Sequence, residues 1–273
     1  MPLLRRILEE PPFRLLTYLV VKHFATSIRT IDRWGAVGRP HYLAGVLAAA
    51  DQALRENVKE ISVFEFGVAG GNGLVALQTY ADAVERETEV KIRVFGFDTG
   101  VGLPEPSKDY RDHPDQWRVG DYEMDVPTLK RRLTRRTELR LGNIRETVPR
   151  FVSETNPPMG FIACDVDLYS STTEVLRLLS LPGKRMLRRV FMYFDDIDGV
   201  VNHRFAGELL AIQEFNDANR LVKIDAWRGV ERERVFIDRP WLKKMFIAHD
   251  LEAINKAVLD RPPFGDFGLG TRP

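Results

Sequence analysis

The sequence predicts an α/β protein with a doubly wound, mostly parallel seven-stranded sheet and an N-terminal helical extension. Short apolar segments alternate with longer amphipathic segments along most of the 273 residues. Strands that are apolar throughout are typical of parallel sheets with helices on both faces. A glycine-rich turn follows the first of these strands, and the second strand ends in an acid, which is typical of the start of a doubly wound sheet.

The individual elements follow from the same pattern. Strands are predicted at 61–66, 92–97, 138–141, 161–165, 190–194 and 221–226, with a seventh at either 234–237 or 245–248. Helices are predicted between them at 74–87, 126–136, 171–179 and 207–219. The third of these helices is expected to begin at Ser171, because Ser171 and Glu174 have the spacing of a capping box.

The chain is expected to form one main domain with two extensions. Residues 1–57 have amphipathic helical patterns, residues 58–260 form the α/β domain, and residues 261–273 are a loose tail rich in proline and glycine. The apolar segment 15–21 is far shorter than the ~20 residues of a membrane span, so neither a span nor a targeting signal is expected. The helical extension is suited to dock on the domain, to cap a ligand, or to pair with a second subunit as a homo-oligomer.

Composition argues against several classes of partner. The 40 basic and 39 acidic residues leave a net charge of +1, so no overall field attracts nucleic acid or a membrane surface. Cys164 is the single cysteine, which rules out an internal disulfide and predicts a reducing, cytoplasmic location. The five histidines are scattered and form no zinc-binding pattern with cysteine.

The glycine turn after the first strand predicts a site for an adenosine cofactor. Gly67, Gly70 and Gly71 allow the backbone to approach a ligand, and the next helix presents free N–H groups to an anion. Asp98, at the end of the second strand, is positioned to accept both hydroxyls of a ribose. Glu65 would repel a pyrophosphate, whereas it suits the ammonium group of S-adenosylmethionine. The methyl donor is therefore preferred over a nicotinamide cofactor.

Four acids follow two of the other predicted strands. Asp165 and Asp167 lie at the end of strand 161–165, and Asp195 and Asp196 follow strand 190–194. If the strands are neighbours, these carboxylates converge and repel one another unless they are protonated or share a cation. A hard divalent ion such as magnesium would remove this repulsion. Solvated loop acids or helix caps are the alternative interpretation.

With these motifs, the chain resembles the macrocin O-methyltransferase family of class I S-adenosylmethionine-dependent enzymes over about residues 39–219. The similarity rests on the order and spacing of the segments 65–73, 96–104, 142–149, 165–172 and 195–196. The resemblance implies that Asp167 is the catalytic base. It also implies that Asp165, Asp195 and Asp196 bind magnesium.

Two more residues complete the predicted cofactor site. Thr99 follows Asp98 directly, and Asn143 follows the third strand, where the adenine is expected. Two features depart from the family pattern. Val166 stands where the family usually has glycine, and the 181–189 turn is longer and more basic than usual. Both departures bear on how the acids at 165 and at 195–196 meet.

Together these features predict a magnesium-dependent O-methyltransferase that uses S-adenosylmethionine. The expected acceptor is a small molecule with a hydroxyl, such as a sugar or another diol. The alternatives are an NAD(P)-linked oxidoreductase, which Glu65 disfavours, and a non-catalytic protein that binds an adenosine cofactor on the same fold.

Overall fold

The computed structural model describes residues 7–258, which contain a seven-stranded mixed sheet. In chain order the strands are β1 Glu60–Phe66, β2 Lys91–Asp98, β3 Thr137–Leu141, β4 Met159–Cys164, β5 Met186–Phe194, β6 Val222–Ala226 and β7 Met245–Asp250. Their order across the sheet is β3-β2-β1-β4-β5-β7-β6. Strands β1 to β5 are parallel, and β7 is antiparallel to both β5 and β6. The predicted fold class is confirmed.

Helices cover both faces of this sheet. They are α1 Phe13–Phe24, α2 Ile28–Trp34, α3 Pro40–Arg55, α4 Asn72–Thr88, α5 Val126–Arg132, α6 Ile144–Ser153, α7 Tyr169–Leu176, α8 Gly207–Ala218 and α9 Leu251–Asn255. One buried apolar cluster joins α3 and α4 to the sheet, and a second joins α6, α7 and α8 to its other face. This double covering explains why the central strands are apolar on both faces.

Phenylalanine rings fix the pairing of the first two strands. Phe66 and Phe97 are paired in the β1–β2 register, and their ring centroids lie 4.6 Å apart. Phe151 of α6 packs edge-on against Phe64, with centroids 5.1 Å apart. Aromatic pairs of this kind contribute roughly 0.5–1.5 kcal/mol each beyond the area that they bury. The cluster therefore holds the carboxyl ends of β1 and β2 side by side.

The structure decides one open alternative and corrects two predicted helix boundaries. The seventh strand is the 245–248 candidate, whereas 234–237 is a loop in which Val235 donates its N–H to the Arg33 carbonyl at 3.1 Å. Helix α5 ends at Arg132 instead of 136, because the Gln78 carboxamide bonds the Arg132 carbonyl at 2.9 Å and the Thr134 N–H at 3.0 Å.

The capping box predicted at Ser171 is also wrong. Helix α7 begins at Tyr169, two residues earlier, with Leu168 as its N-cap. Asp112, from the loop after β2, accepts the Ser170 N–H at 2.7 Å and the Ser170 hydroxyl at 2.9 Å. A buried carboxylate from elsewhere in the chain thus satisfies the start of α7, and no local cap is needed.

The region predicted as a helical extension contains α1, α2 and α3 in its described part. Helix α3 lies in the core, with Tyr42, Leu43 and Val46 fully buried. Helix α1 packs inward through Val21 and leaves a row of large apolar side chains exposed. The predicted tail, 261–273, lies outside the described residues, and the domain boundaries stay predictions.

Across residues 7–258, no helix combines the length and the apolar character needed to cross a bilayer.

Candidate functional site

A cavity of about 470 Å³ lies at the carboxyl ends of β1, β2, β4 and β5. Parallel strands bring these ends together at one edge of the sheet, which is where ligands bind in such folds. Eight of the predicted site residues line this first cavity: Gly67, Asp98, Thr99, Asn143, Asp165, Asp167, Asp195 and Asp196. Glu65, Gly70 and Gly71 are not among its lining residues.

Two of the three predicted glycines are required by the fold itself. Gly67 has φ +83°, and a Cβ there would lie 1.6 Å from the Asp165 carbonyl oxygen. Gly71 precedes α4 with φ +78°, and a Cβ there would lie 2.2 Å from Leu129. Gly70 instead has open space on the side where a Cβ would stand. Gly67 therefore brings the end of β1 against the segment after β4, so that the two halves of the site meet.

Asp98 fastens the glycine turn to the end of β2. Its Oδ2 accepts the N–H groups of Val68 at 2.8 Å and Ala69 at 2.9 Å. Its Oδ1 accepts the Gly100 N–H at 2.7 Å. A carboxylate has roughly four acceptor positions, so about one remains for a ligand hydroxyl. Asp98 shapes the turn as well as lining the cavity.

Thr99 and Asn143 follow the neighbouring strands β2 and β3, and both line the first cavity. The Thr99 hydroxyl donates to the Gly102 carbonyl at 2.5 Å and so orders the loop after β2. Asn143 caps α6 by accepting the Arg145 N–H at 2.9 Å. Trp117 from the loop after β2 also lines the cavity, next to an exposed tyrosine of the same loop that the sequence analysis missed, Tyr122.

Glu65 lies behind the glycine turn and faces α3. It is 2% exposed, and the Tyr42 hydroxyl donates to its Oε1 at 2.6 Å. Its Oε2 is buried and has no hydrogen-bond partner within residues 7–258. Burial raises the pKa of Glu65 to about 8, although the Tyr42 hydrogen bond and the Arg39 charge oppose this. The buried Glu65–Tyr42 pair joins the glycine turn to the helical extension, and no local sequence signal marks Tyr42.

Three of the predicted acids come together as expected of a cation site. Asp165, Asp195 and Asp196 each offer a carboxylate oxygen within 4.8 Å of the others. Burial, and then the charges of Asp195 and Asp196, raise the pKa of Asp165 to about 7. Burial, and then the Asp195 charge, raise the pKa of Asp196 to about 6, and its Oδ2 has no partner among the described residues. Three crowded hard oxygen donors fit a divalent ion such as magnesium.

Neither Val166 nor the 181–189 turn, the two departures from the family pattern, separates the clustered acids. Strands β4 and β5 pair in parallel up to Cys164 and Phe194. Asp165 and Asp195, the next residues, therefore follow paired positions at the ends of neighbouring strands. Only residues 181–185 of the predicted 181–189 turn precede β5, because residues 186–189 already belong to that strand. The turn therefore lies at the end of the sheet away from the cavity. Val166 is itself buried in the cluster below α6, α7 and α8.

Asp167 lines the same cavity as the three clustered acids but is not a member of the cluster. Its backbone has φ +61°, a left-handed conformation that is uncommon for a non-glycine residue. The residue is 8% exposed. Burial, followed by the charges of Asp196 and Asp165, raises the pKa of Asp167 to about 8. A carboxyl group with a pKa near neutrality is well suited to exchange protons with a ligand.

Lys244 and Tyr193 both contact Asp195. The Lys244 ammonium donates to the Asp195 carbonyl at 2.5 Å and lies 3.4 Å from its Oδ1. The Tyr193 hydroxyl donates to the same Oδ1. Lys244 supplies a counter-charge from the protein itself, which corrects the expectation that only protonation or a shared cation relieves the repulsion among these acids. It lies 49 residues from Asp195 in the chain, and no motif connects the two.

Glu208 is a further buried acid that sequence analysis missed. It is fully buried at the start of α8, and its Oε2 accepts the Asp196 N–H at 2.8 Å. Burial, and then the charge of Asp196, raise the pKa of Glu208 well above its usual value. Glu208 therefore fixes the backbone that carries Asp196.

Solved structures of two methyltransferases share this fold. The calicheamicin methyltransferase CalS11 superposes with a TM-score of 0.53 and 21% identity, over 88% of this chain and 93% of that chain. The O-methyltransferase NovP superposes with a TM-score of 0.51 and 16% identity, over 81% of this chain and 87% of that chain. No protein-family model and no curated protein matches the sequence. The chain thus has the class I methyltransferase fold, and membership of the macrocin O-methyltransferase family stays a prediction.

Proposed function

We propose that this protein is an S-adenosylmethionine-dependent, magnesium-dependent O-methyltransferase that acts on a hydroxyl of a sugar or another diol-bearing small molecule. The main support is that one cavity is lined both by the glycine turn with Asp98 and by the clustered acids. Methyl transfer to oxygen requires the donor and the acceptor hydroxyl to be held together at near-attack distance. The names of CalS11 and NovP describe a methyltransferase and an O-methyltransferase on the same fold.

The residues at the ends of β1, β2 and β3 would bind the methyl donor. Bound S-adenosylmethionine supplies an electrophilic methyl group. Asp98 would accept a ribose hydroxyl while it keeps the turn in shape, and Thr99 and Asn143 would line the adenosine site. Glu65 would pair with the ammonium group from behind the glycine turn, and its unpartnered Oε2 supports that role.

The clustered acids Asp165, Asp195 and Asp196 would hold the magnesium ion. Bound magnesium supplies positive charge that lowers the pKa of an acceptor hydroxyl. Burial and the neighbouring acids, which together raise the pKa of Asp165, support this assignment, and so does the unpartnered Oδ2 of Asp196.

Asp167 would then accept the proton of the acceptor hydroxyl. General-base catalysis is most effective when the pKa of the base lies near the working pH, and burial brings the pKa of Asp167 to about 8. The loop that carries Trp117 and Tyr122 lines the same cavity and would restrict the access of water during transfer.

One observation favours a non-catalytic alternative. Lys244 already neutralises part of the acid cluster, so the acids and Lys244 also form a charge network without a metal ion. No comparable observation favours an oxidoreductase. A Tyr-x-x-x-Lys spacing occurs at Tyr18 and Lys22, but both residues lie on α1 and neither lines the first cavity.

Titration calorimetry and a turnover assay test the proposal. The purified protein is expected to bind S-adenosylmethionine and not NADH. With a panel of diols, methyl transfer should stop in excess chelator and return with magnesium, while the affinity for S-adenosylmethionine changes little. Absence of S-adenosylmethionine binding would refute the cofactor assignment, and full activity in excess chelator would refute the metal site.

We also propose that α1 pairs with the α1 of a second copy of this chain. Its exposed residues Phe13, Leu16, Val20 and Phe24 form an apolar row, while Val21 anchors the helix to the protein. A self-complementary row of this kind suits a two-fold symmetric contact. Light scattering should find a dimer that Leu16→Glu disrupts. A monomeric native protein would contradict the pairing. The cytoplasmic location stays a prediction.

A further inference from the structure

A second cavity of about 460 Å³ lies between the helical extension and the segment before β7. Most of its walls are aromatic rings and cationic side chains. The rings include Trp34, His41, Phe236 and Trp241. The cations are Arg33, Arg234, Arg239 and Lys244. Among the described residues that line this second cavity, none is acidic, so it is suited to an anion that carries a ring.

The cations differ in how far their charge is already paired. Arg33 bonds Glu9 at 2.7 Å, and Arg234 lies 2.5 Å from Asp32. Arg239 is exposed and stacks over Phe236, with its guanidinium carbon 4.9 Å from the ring centroid. Within residues 7–258, no carboxylate pairs with Arg239. Its charge and its donors are therefore available to a ligand anion.

His41 also lines this cavity, and its ring lacks hydrogen-bond partners within residues 7–258. Both of its ring nitrogens are buried, and neither has a partner in the described part of the chain. The ring stacks on Tyr193 with the centroids 4.1 Å apart. Burial, and then the Arg39 charge, lower the pKa of His41 to about 3, so the imidazole is neutral. A neutral imidazole has one donor and one acceptor, which is the pattern that a ligand hydroxyl matches.

The second cavity meets the first one at Asp195. Tyr193 and Lys244 line the second cavity, and both contact Asp195, which lines the first. A ligand in the second cavity therefore lies one layer of side chains away from the clustered acids. Aromatic walls with a few polar groups that converge on the cavity are the usual features of a small-molecule site.

We propose that the second cavity is a binding site of its own, and that its ligand is a ring linked to a phosphate. This proposal goes beyond the proposed function, because the two cavities share no lining residue and the ligand is separate from the methyl acceptor. Arg239 binds the phosphate, and Trp241 and His41 contact the ring. A sugar phosphate and a nucleoside-diphosphate sugar share this chemistry, and an uncharged glycoside lacks it.

Calorimetry on the full-length protein tests this with three probes: UDP, glucose 1-phosphate and methyl glucoside. The two phosphate probes are expected to bind at least tenfold more tightly than methyl glucoside. Tighter binding of UDP than of glucose 1-phosphate would identify the nucleotide-linked source, and the reverse would identify the sugar phosphate. Phosphate probes that bind no better than methyl glucoside would overturn the proposal.

Two variants and a matched control locate the binding. Arg239→Gln is expected to weaken binding of the phosphate probes about tenfold or more, since a charge-assisted hydrogen bond is lost. Trp241→Leu should also weaken UDP binding. Arg220→Gln is the control, because Arg220 is also exposed but precedes β6 at the end of the sheet away from this cavity. Unchanged affinity in Arg239→Gln, or an equal loss in Arg220→Gln, would overturn the assignment.

S-adenosylmethionine affinity, measured on the same samples, separates the two proposals. Phosphate probes that fail to bind while S-adenosylmethionine binds would refute the second cavity alone. Failure of S-adenosylmethionine to bind would refute the proposed function, whatever the result with UDP.

Discussion

Lys244 donates to the backbone carbonyl of Asp195 at 2.5 Å and lies 3.4 Å from the carboxylate of the same residue. It thus places a positive charge beside the three acids proposed to bind magnesium. A fixed cation competes with a bound ion for the same carboxylates. The affinity for magnesium should therefore depend on Lys244.

Lys244→Gln is expected to tighten magnesium binding by about fivefold or more. Charges about 4 Å apart interact by roughly 1–4 kcal/mol at the effective dielectric constants of water and of protein surfaces, so loss of one repulsive partner has an effect of this order. Calorimetric titration with magnesium, without acceptor, measures the change. Lys243→Gln is the matched control, because Lys243 is the adjacent residue and is exposed. Weaker magnesium binding in Lys244→Gln would show that Lys244 supports the ion instead of competing with it.

Asp167→Asn and Asp196→Asn should separate the base from the metal ligands. Asp167→Asn keeps the shape of the side chain and removes the proton acceptor, so turnover should fall by roughly 10²–10⁴ with magnesium binding largely kept. Asp196→Asn should raise the magnesium concentration for half-maximal turnover, because a neutral amide is a weaker ligand than a carboxylate. Turnover measured against magnesium concentration distinguishes them. If saturating magnesium rescues Asp167→Asn but not Asp196→Asn, the two roles are exchanged.

The sheet and the acid cluster were predictable because their signals are local. An apolar strand followed at once by an acid, as at Asp165 and Asp195, gives both the strand and its functional end. Tyr42 and Lys244 were missed because each reaches the site from a distant part of the chain. The start of α7 was misplaced for the same reason, since its cap, Asp112, lies 58 residues before Ser170. Such long-range contacts leave no periodicity in the sequence.

Asp98→Ala should weaken both cofactor binding and the fold around the glycine turn. Asp98 accepts three backbone N–H groups, from Val68, Ala69 and Gly100, so the variant leaves three donors without their partner. Hydrogen bonds to a charged group contribute roughly 1.5–3 kcal/mol each, and a ribose hydroxyl would add one more. Calorimetry with S-adenosylmethionine and thermal unfolding measure the two effects. Unchanged affinity in a folded Asp98→Ala protein would remove the ribose assignment.

Glu65→Gln should alter how the stability of the cofactor-free protein depends on pH. Burial raises the pKa of Glu65 from 4.5 to about 8, so the folded protein holds a proton that the unfolded chain releases. The contribution of Glu65 is therefore fully present below pH ~4.5 and is lost as the pH rises through about 8. A neutral glutamine does not titrate, so the fall in the free energy of unfolding between pH 5 and pH 8 should be smaller in the variant.

Chemical denaturation at the two pH values measures this difference, with Glu60→Gln as the control because Glu60 begins the same strand and is only half-buried. The same Glu65→Gln protein should bind S-adenosylmethionine more weakly, because it lacks the carboxylate proposed to pair with the ammonium group. The Tyr42 hydroxyl can still donate to the glutamine carbonyl, so the fold around the turn is expected to survive. If Glu65→Gln and the native protein lose stability equally between pH 5 and pH 8, Glu65 is not the buried, protonated group inferred here.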